Sequence, residues 1–137
     1  MFQSPESVLW NALISDAAVT SIIGHRVYPH LAPASVDMPF VTWRRTGNNR
    51  EQTFAGPMGV PKVTVEFLLF ASSYLTARKL ADAVRGVLDG YTGSFDNTTV
   101  RQASLESEND DVVTLDGAEL PTVYAVTQSY DILWQET

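Results

Sequence analysis

Residues 62–90 read KVTVEFLLFASSYLTARKLADAVRGVLDG, and the spacing of their apolar positions changes midway. Up to Ala71 the period is two: Val63, Val65, Phe67 and Leu69 share one face of a strand, while Thr64 and Glu66 begin the other. Leu68 and Phe70 then make the second face apolar as well, which predicts cover on both sides at the end of the strand. Ser72 or Ser73 caps a helix over residues 74–89. In that helix Ala77, Leu80, Ala81, Val84 and Leu88 fall at i, i+3, i+4, i+7 and i+11, with Lys79, Asp82 and Arg85 outside the stripe. Gly90 and Gly93 end it.

On the amino-terminal side, Ser4 and Pro5 suit the start of a helix that runs to about Ala18 and buries Val8, Leu9, Ala12 and Leu13, with Trp10 at the edge of that stripe. A short turn over residues 19–24 follows, and Gly24 can supply the positive φ that closes it. Val27 and Tyr28 form a brief extended pair stopped by Pro29, and Pro33 and Pro39 hold a spacer away from helix. Phe40 to Thr46 is rich in aromatic and β-branched residues and reads as a strand, broken at Gly47. Residues 47–61 form a long loop at the tip of a hairpin.

On the carboxy-terminal side, strands are expected over residues 98–106 and 122–135, joined by the acidic segment 107–121. In the last strand Tyr124, Val126, Tyr130, Ile132 and Trp134 share a face that Gln128 interrupts. The order predicts a single α+β domain over residues 1–137. Its architecture would be one mainly antiparallel, twisted sheet of about four to five strands with two helices packed on one face.

Composition narrows the function. Hydrophobic residues make up 45% and charged residues 18%, too apolar a balance for a disordered chain. Nine basic against sixteen acidic side chains give a net charge of -7, which repels nucleic acid and anionic membrane. Arg44 and Arg45 are adjacent, so on a strand they point to opposite faces and cannot form one basic patch. With no cysteine there is neither a disulfide framework nor a thiolate site. The start MFQSPESVLW has no basic region and no long apolar run, so an unexported, soluble protein is expected.

Reactive constellations fail on spacing. His25 and His30 are five apart across a proline-broken segment, which misses the helical i, i+4 spacing for a shared metal. The acids Glu106, Glu108, Asp110, Asp111, Asp116 and Glu119 do not fit a calcium loop, because residues 112–115 interrupt them with Val, Val, Thr and Leu. There is no Gly-x-Ser-x-Gly elbow, and the glycines at 47, 56 and 59 lack the Gly-Lys-Ser/Thr of a phosphate loop. Glu66 alone is a mid-sheet acid, which makes no carboxylate pair. No enzyme, metal or cofactor is expected.

Several segments in order carry a resemblance: RVYP at residues 26–29, MPFVTWRRTG at 38–47, FLLFASSYLTARKLADAVRGVL at 67–88 and SYDILWQE at 129–136. Together they resemble the tail-completion or tail-terminator family of long-tailed bacteriophages and gene transfer agents. The resemblance implies a non-catalytic virion protein, assembled in the host cytoplasm. It would form a homo-oligomeric ring, commonly a hexamer, at the head-proximal end of the tail. Such a ring ends polymerisation of the tail tube protein and joins it to the head-tail connector protein, while DNA passes through without sequence-specific contact. A head-tail connector or minor tail ring protein is the alternative of the same kind, and a small ligand-binding or enzyme domain that of another. Under this reading Trp43, Arg44, Arg45, Arg50, Phe54 and Met58 are interface candidates, and Glu106, Glu108, Asp110 and Asp111 candidates for lining the channel.

Overall fold

The computed structural model describes residues 5–29, 38–49, 52–53, 56–57, 62–95, 98–114 and 122–136. The chain begins with two helices, α1 (Pro5–Ser15) and α2 (Ala17–Ile23). One helix to Ala18 was the expectation; the break lies at Asp16. Its side chain accepts from the backbone N–H groups of Ala18 at 2.9 Å and Val19 at 3.1 Å and so starts a new helix. Short acidic side chains favour such caps over helix interiors, because they compete for the backbone donors. Gly24, with φ of +60°, closes α2. Asp16→Ala is expected to cost about 1 kcal/mol of stability, read as a lower denaturant midpoint at unchanged slope.

Strands β1 (Val27–Pro29), β2 (Phe40–Asn49), β3 (Gln52–Thr53), β4 (Gly56–Pro57) and β5 (Lys62–Ala71) come next, then α3 (Tyr74–Leu88), β6 (Gly93–Phe95), β7 (Thr98–Thr114) and β8 (Thr122–Glu136). Six of them form one curled sheet in the order β1-β2-β5-β8-β7-β6, and β3 pairs with β4 separately. Two expectations are corrected here: the sheet has six strands, and three helices are present among the described residues; the sheet is mainly antiparallel as expected, with only the short β1 running parallel to β2. Edge strand β1 is the brief extended pair expected at Val27 and Tyr28, and the unexpected edge strand β6 has three residues, too few to express an alternating pattern.

The α+β class and the central strand-to-helix unit are as expected. Strand β5 alternates buried and partly exposed residues along its whole length. Its buried residues Val63, Val65, Phe67 and Leu69 lie opposite Ile132, Tyr130, Gln128 and Val126 of β8. Ser73 caps α3, accepting from the Thr76 backbone N–H at 3.2 Å. The five stripe residues of α3 are buried in one core with α1, α2 and the inner face of the sheet. On the other face, Phe70 is only partly covered, stacked on Phe40 with ring centroids 4.9 Å apart.

The long β7–β8 hairpin departs most from expectation. Segment 107–114, expected in a turn, continues β7. Register shifts occur between Val100 and Gln102 and between Leu105 and Ser107, so one extra residue is inserted at Arg101 and another at Glu106. Each insertion reverses which side chains face the helices. Val100, Ala103 and Leu105 point inward, and beyond the second shift the inward positions are Glu108, Asp110 and Val112.

Candidate functional site

The second shift brings two acids under α3, where Arg78 meets them. Arg78 Nη2 donates to Glu108 Oε1 at 2.7 Å and Nη1 to Asp110 Oδ1 at 2.9 Å. The Tyr74 hydroxyl donates to Asp110 Oδ2 at 3.3 Å. From Glu108 the network runs into the core: Gln128 Nε2 donates to Glu108 Oε2 at 2.9 Å and to the Ala81 carbonyl at 3.0 Å, and the Tyr130 hydroxyl donates to Gln128 Oε1 at 2.7 Å. Gln128, which breaks the apolar face of β8 in the sequence, is therefore a satisfied buried amide joining helix to hairpin.

Electrostatics follow the geometry. The hydrogen bond to Glu108 lifts the pKa of Arg78 above its ordinary value, against a lesser opposing effect of desolvation. Burial pushes the Tyr130 phenol up from its ordinary value, and the charges of Asp89 and Glu108 push the same way. Arg78 was not singled out in the sequence, because its partner Glu108 lies 30 residues away, and Gln128 was noticed only as a break in an apolar face, since its partner Glu108 lies 20 residues away.

The predicted arginine pair divides between the two faces of β2 as expected. Arg44 lies on the open face, where its Nη2 donates to Glu66 Oε1 at 2.9 Å; its side chain remains 55% exposed. Arg45 lies on the helix face, with Nη2 on Glu6 Oε2 at 2.9 Å and Nε on Glu6 Oε1. That second pair fixes the start of α1 to β2, and Glu6 is only 3% exposed. Its hydrogen bond lifts the Arg45 pKa above the ordinary value. Trp43 is partly buried against the core, opposite Phe67.

The four acids proposed as one set do not share a surface. Glu108 and Asp110 face α3, Asp111 lies on the open face opposite Ala125, and Glu106 is exposed at the bulge. The open face also carries Lys62 on Asp131 at 3.1 Å and the Thr64 hydroxyl donating to Asp131 Oδ1 at 2.8 Å. His25 is exposed beyond α2. Arg50, Phe54, Met58, His30, Asp116 and Glu119 lie outside the described residues. Among the described residues no three His, Asp or Glu side chains gather as a metal site, and no helix is long and apolar enough to cross a membrane.

Large apolar side chains are exposed mainly beside this network. Tyr74 is 52%, Leu75 64% and Val112 52% exposed, and the Tyr74 ring meets Tyr124 edge-on at 6.1 Å. Strand β7 here forms a sheet edge, since β6 pairs with it only over Thr98–Val100. At the opposite edge, β1 covers β2 only over Val41–Trp43. The arrangement is suited to holding a neighbour: charges paired by fixed arginines, apolar side chains in solvent and two strand edges that no described strand fully pairs.

The profile of the family described as tail completion protein gp17 matches residues 7–123. A chain of the solved structure titled "Virion of native gene transfer agent (GTA) particle" is similar over 96% of this chain and 94% of its own, with a TM-score of 0.71 and 12% identity. At that identity the likeness establishes the fold. No curated protein sequence matches.

Proposed function

Because this chain belongs to the tail completion protein gp17 family, whose members are structural virion proteins and not enzymes, we propose that its copies close into a ring at the head-proximal end of the tail tube. The ring, a hexamer in this reading, caps the last layer of tail tube protein, ends polymerisation and presents its other side to the head-tail connector protein. DNA passes through it without sequence readout. The observation that carries the reading is the family match over nearly the whole chain; the paired, unreactive charges and open sheet edges support it.

The face of the sheet on which no described helix packs is the surface we assign to the channel. It carries Asp111 and the pairs Arg44–Glu66 and Lys62–Asp131. Glu106 at the bulge adds an exposed acid, and Glu108 and Asp110 serve the helix side instead. A mildly acidic wall repels the duplex and lets it slide. The connection 50–61 between β2 and β5, expected as part of a long loop, carries the short β3–β4 pair; with Arg50, Phe54 and Met58 it is assigned to the adjacent subunit or the tail tube, as connections between core strands tend to carry contacts.

Imaging of particles assembled without this protein tests the role. Overlong tails detached from heads are the expected result. Full heads that leak their DNA beside tails of normal length would instead assign the protein to the connector.

A further inference from the structure

We propose that the contact between neighbouring copies is an edge-to-edge strand pairing in which the outer edge of β7 on one copy adds to the outer edge of β2 on the next. The inference deepens the ring assignment above and rests on it. Three observations converge. The first is backbone chemistry. Beyond the short β6, the outer edge of β7 is bonded among the described residues at Ala103 by Gly90 and Tyr91, at Leu105 by Asp89 and at Val112 by Asp111. No described strand pairs with it between Glu106 and Asp111, and none pairs with the outer edge of β2 after Trp43. Unpaired strand edges are templates for another strand.

The second observation is charge. The β7 edge carries the doublet Asp110 and Asp111, one on the helix face and one on the open face. The β2 edge carries the doublet Arg44 and Arg45, divided between the faces in the same way. When two sheets become continuous, equivalent faces align, so Arg44 meets Asp111 and Arg45 meets Asp110. Both arginines already hold an acid, yet each does so through Nε and Nη2. Nη1 of each has no partner among the described residues, and a guanidinium carries five donors. Asp110 also holds Arg78, and Arg44 and Arg45 hold Glu66 and Glu6, so like edges would set doublets of one sign together without gaining an opposite-charge contact. The pairing is therefore heterologous, the kind that closes into rings and disfavours two-fold dimers.

The third observation is apolar surface. Tyr74, Leu75 and Val112 stand exposed on the helix side of the β7 edge, where an arriving edge would cover them. A few ladder hydrogen bonds exchange water for backbone at little net gain, and burial of these side chains supplies the missing stabilisation.

The chain has no cysteine, so introduced thiols report contacts without background. Asn109 on β7 and Thr46 on β2 are exposed and outside the proposed ion pairs. Full-length protein carrying both Asn109→Cys and Thr46→Cys is bound to purified tail tubes, treated with a short bismaleimide and resolved under denaturing conditions, with negative-stain images of the same sample. A ladder of covalent multimers is expected from the double variant and only monomer from either single variant. Arg44→Glu or Asp111→Arg alone is expected to weaken the ladder about tenfold, and the two together to restore it. Rings seen on tails without a ladder, or a dimer from one single variant, would overturn the edge pairing and leave the ring intact. Tails that bear no ring would remove the ring assignment and this inference with it.

Discussion

Arg45→Ala is expected to lower the unfolding free energy by about 3 kcal/mol, a large part of the 5–15 kcal/mol typical of a domain. The reason is the asymmetry of its ion pair. Glu6 is 3% exposed whereas Arg45 is 39% exposed, so removing the arginine strips a buried carboxylate of its guanidinium. Breaking such a pair commonly costs 3–5 kcal/mol when both ends are buried; water reaching the arginine end places this case at the lower bound. Denaturant titration measures the loss. A double variant, Glu6→Leu with Arg45→Met, is expected to recover most of it, because an apolar pair of similar size leaves no charge to solvate. If the single variant were as stable as the parent, the remaining contacts of Glu6 would suffice for its charge, and the pin between α1 and β2 would not matter. The guanidinium keeps its charge throughout the ordinary pH range, since its folded pKa lies above the usual value.

Gln128→Leu is the second large effect, at about 2–3 kcal/mol. Leucine fits the apolar face of β8 better by composition, yet it deletes the acceptor of the fully buried Tyr130 hydroxyl and one donor to Glu108. An orphaned buried hydroxyl bears the desolvation cost of a polar group without return. Adding Tyr130→Phe to Gln128→Leu is expected to restore a substantial part, since both partners are then apolar, and the double-mutant cycle gives the coupling directly. The same tyrosine predicts an alkaline limb. Its folded pKa is raised above the ordinary 10.0, so folded protein keeps a proton that unfolded protein releases. The sign is fixed by linkage: this contribution is intact below pH 10 and declines as pH rises further. In Tyr130→Phe the decline above pH 10 should be shallower than in the parent; an equal slope would place the titration elsewhere.

In the proposed ring these two networks would serve assembly by holding the sheet edges in shape. Arg45 anchors β2 through α1, and Arg78 with Gln128 anchors the outer half of β7 through α3. A ring subunit has to present its edges at fixed angles, and side chains locked by hydrogen bonds do this better than a mobile hairpin would.

What the linear chain determined by itself is the part governed by neighbours a few residues apart. The change of period within residues 62–90 specified β5, the serine cap and all five buried residues of α3. Adjacency alone placed Arg44 and Arg45 on opposite faces, and the positive φ of Gly24 was legible, although the segment it closes is a helix and not the expected turn. Tertiary structure decided the rest, above all which acids lie where. The insertion at Glu106 exchanges the faces of everything after it, so Glu108 and Asp110 turn toward Arg78 while Asp111 turns away. No local pattern announces that shift: a strand bulges when its register must satisfy partners on β8 and α3, residues 20 and 30 positions distant for Glu108. Glu6 and Arg45, 39 residues apart, likewise meet only once helix and sheet have packed. Spacing along the chain sets the elements, and the register between them sets the charges of each face.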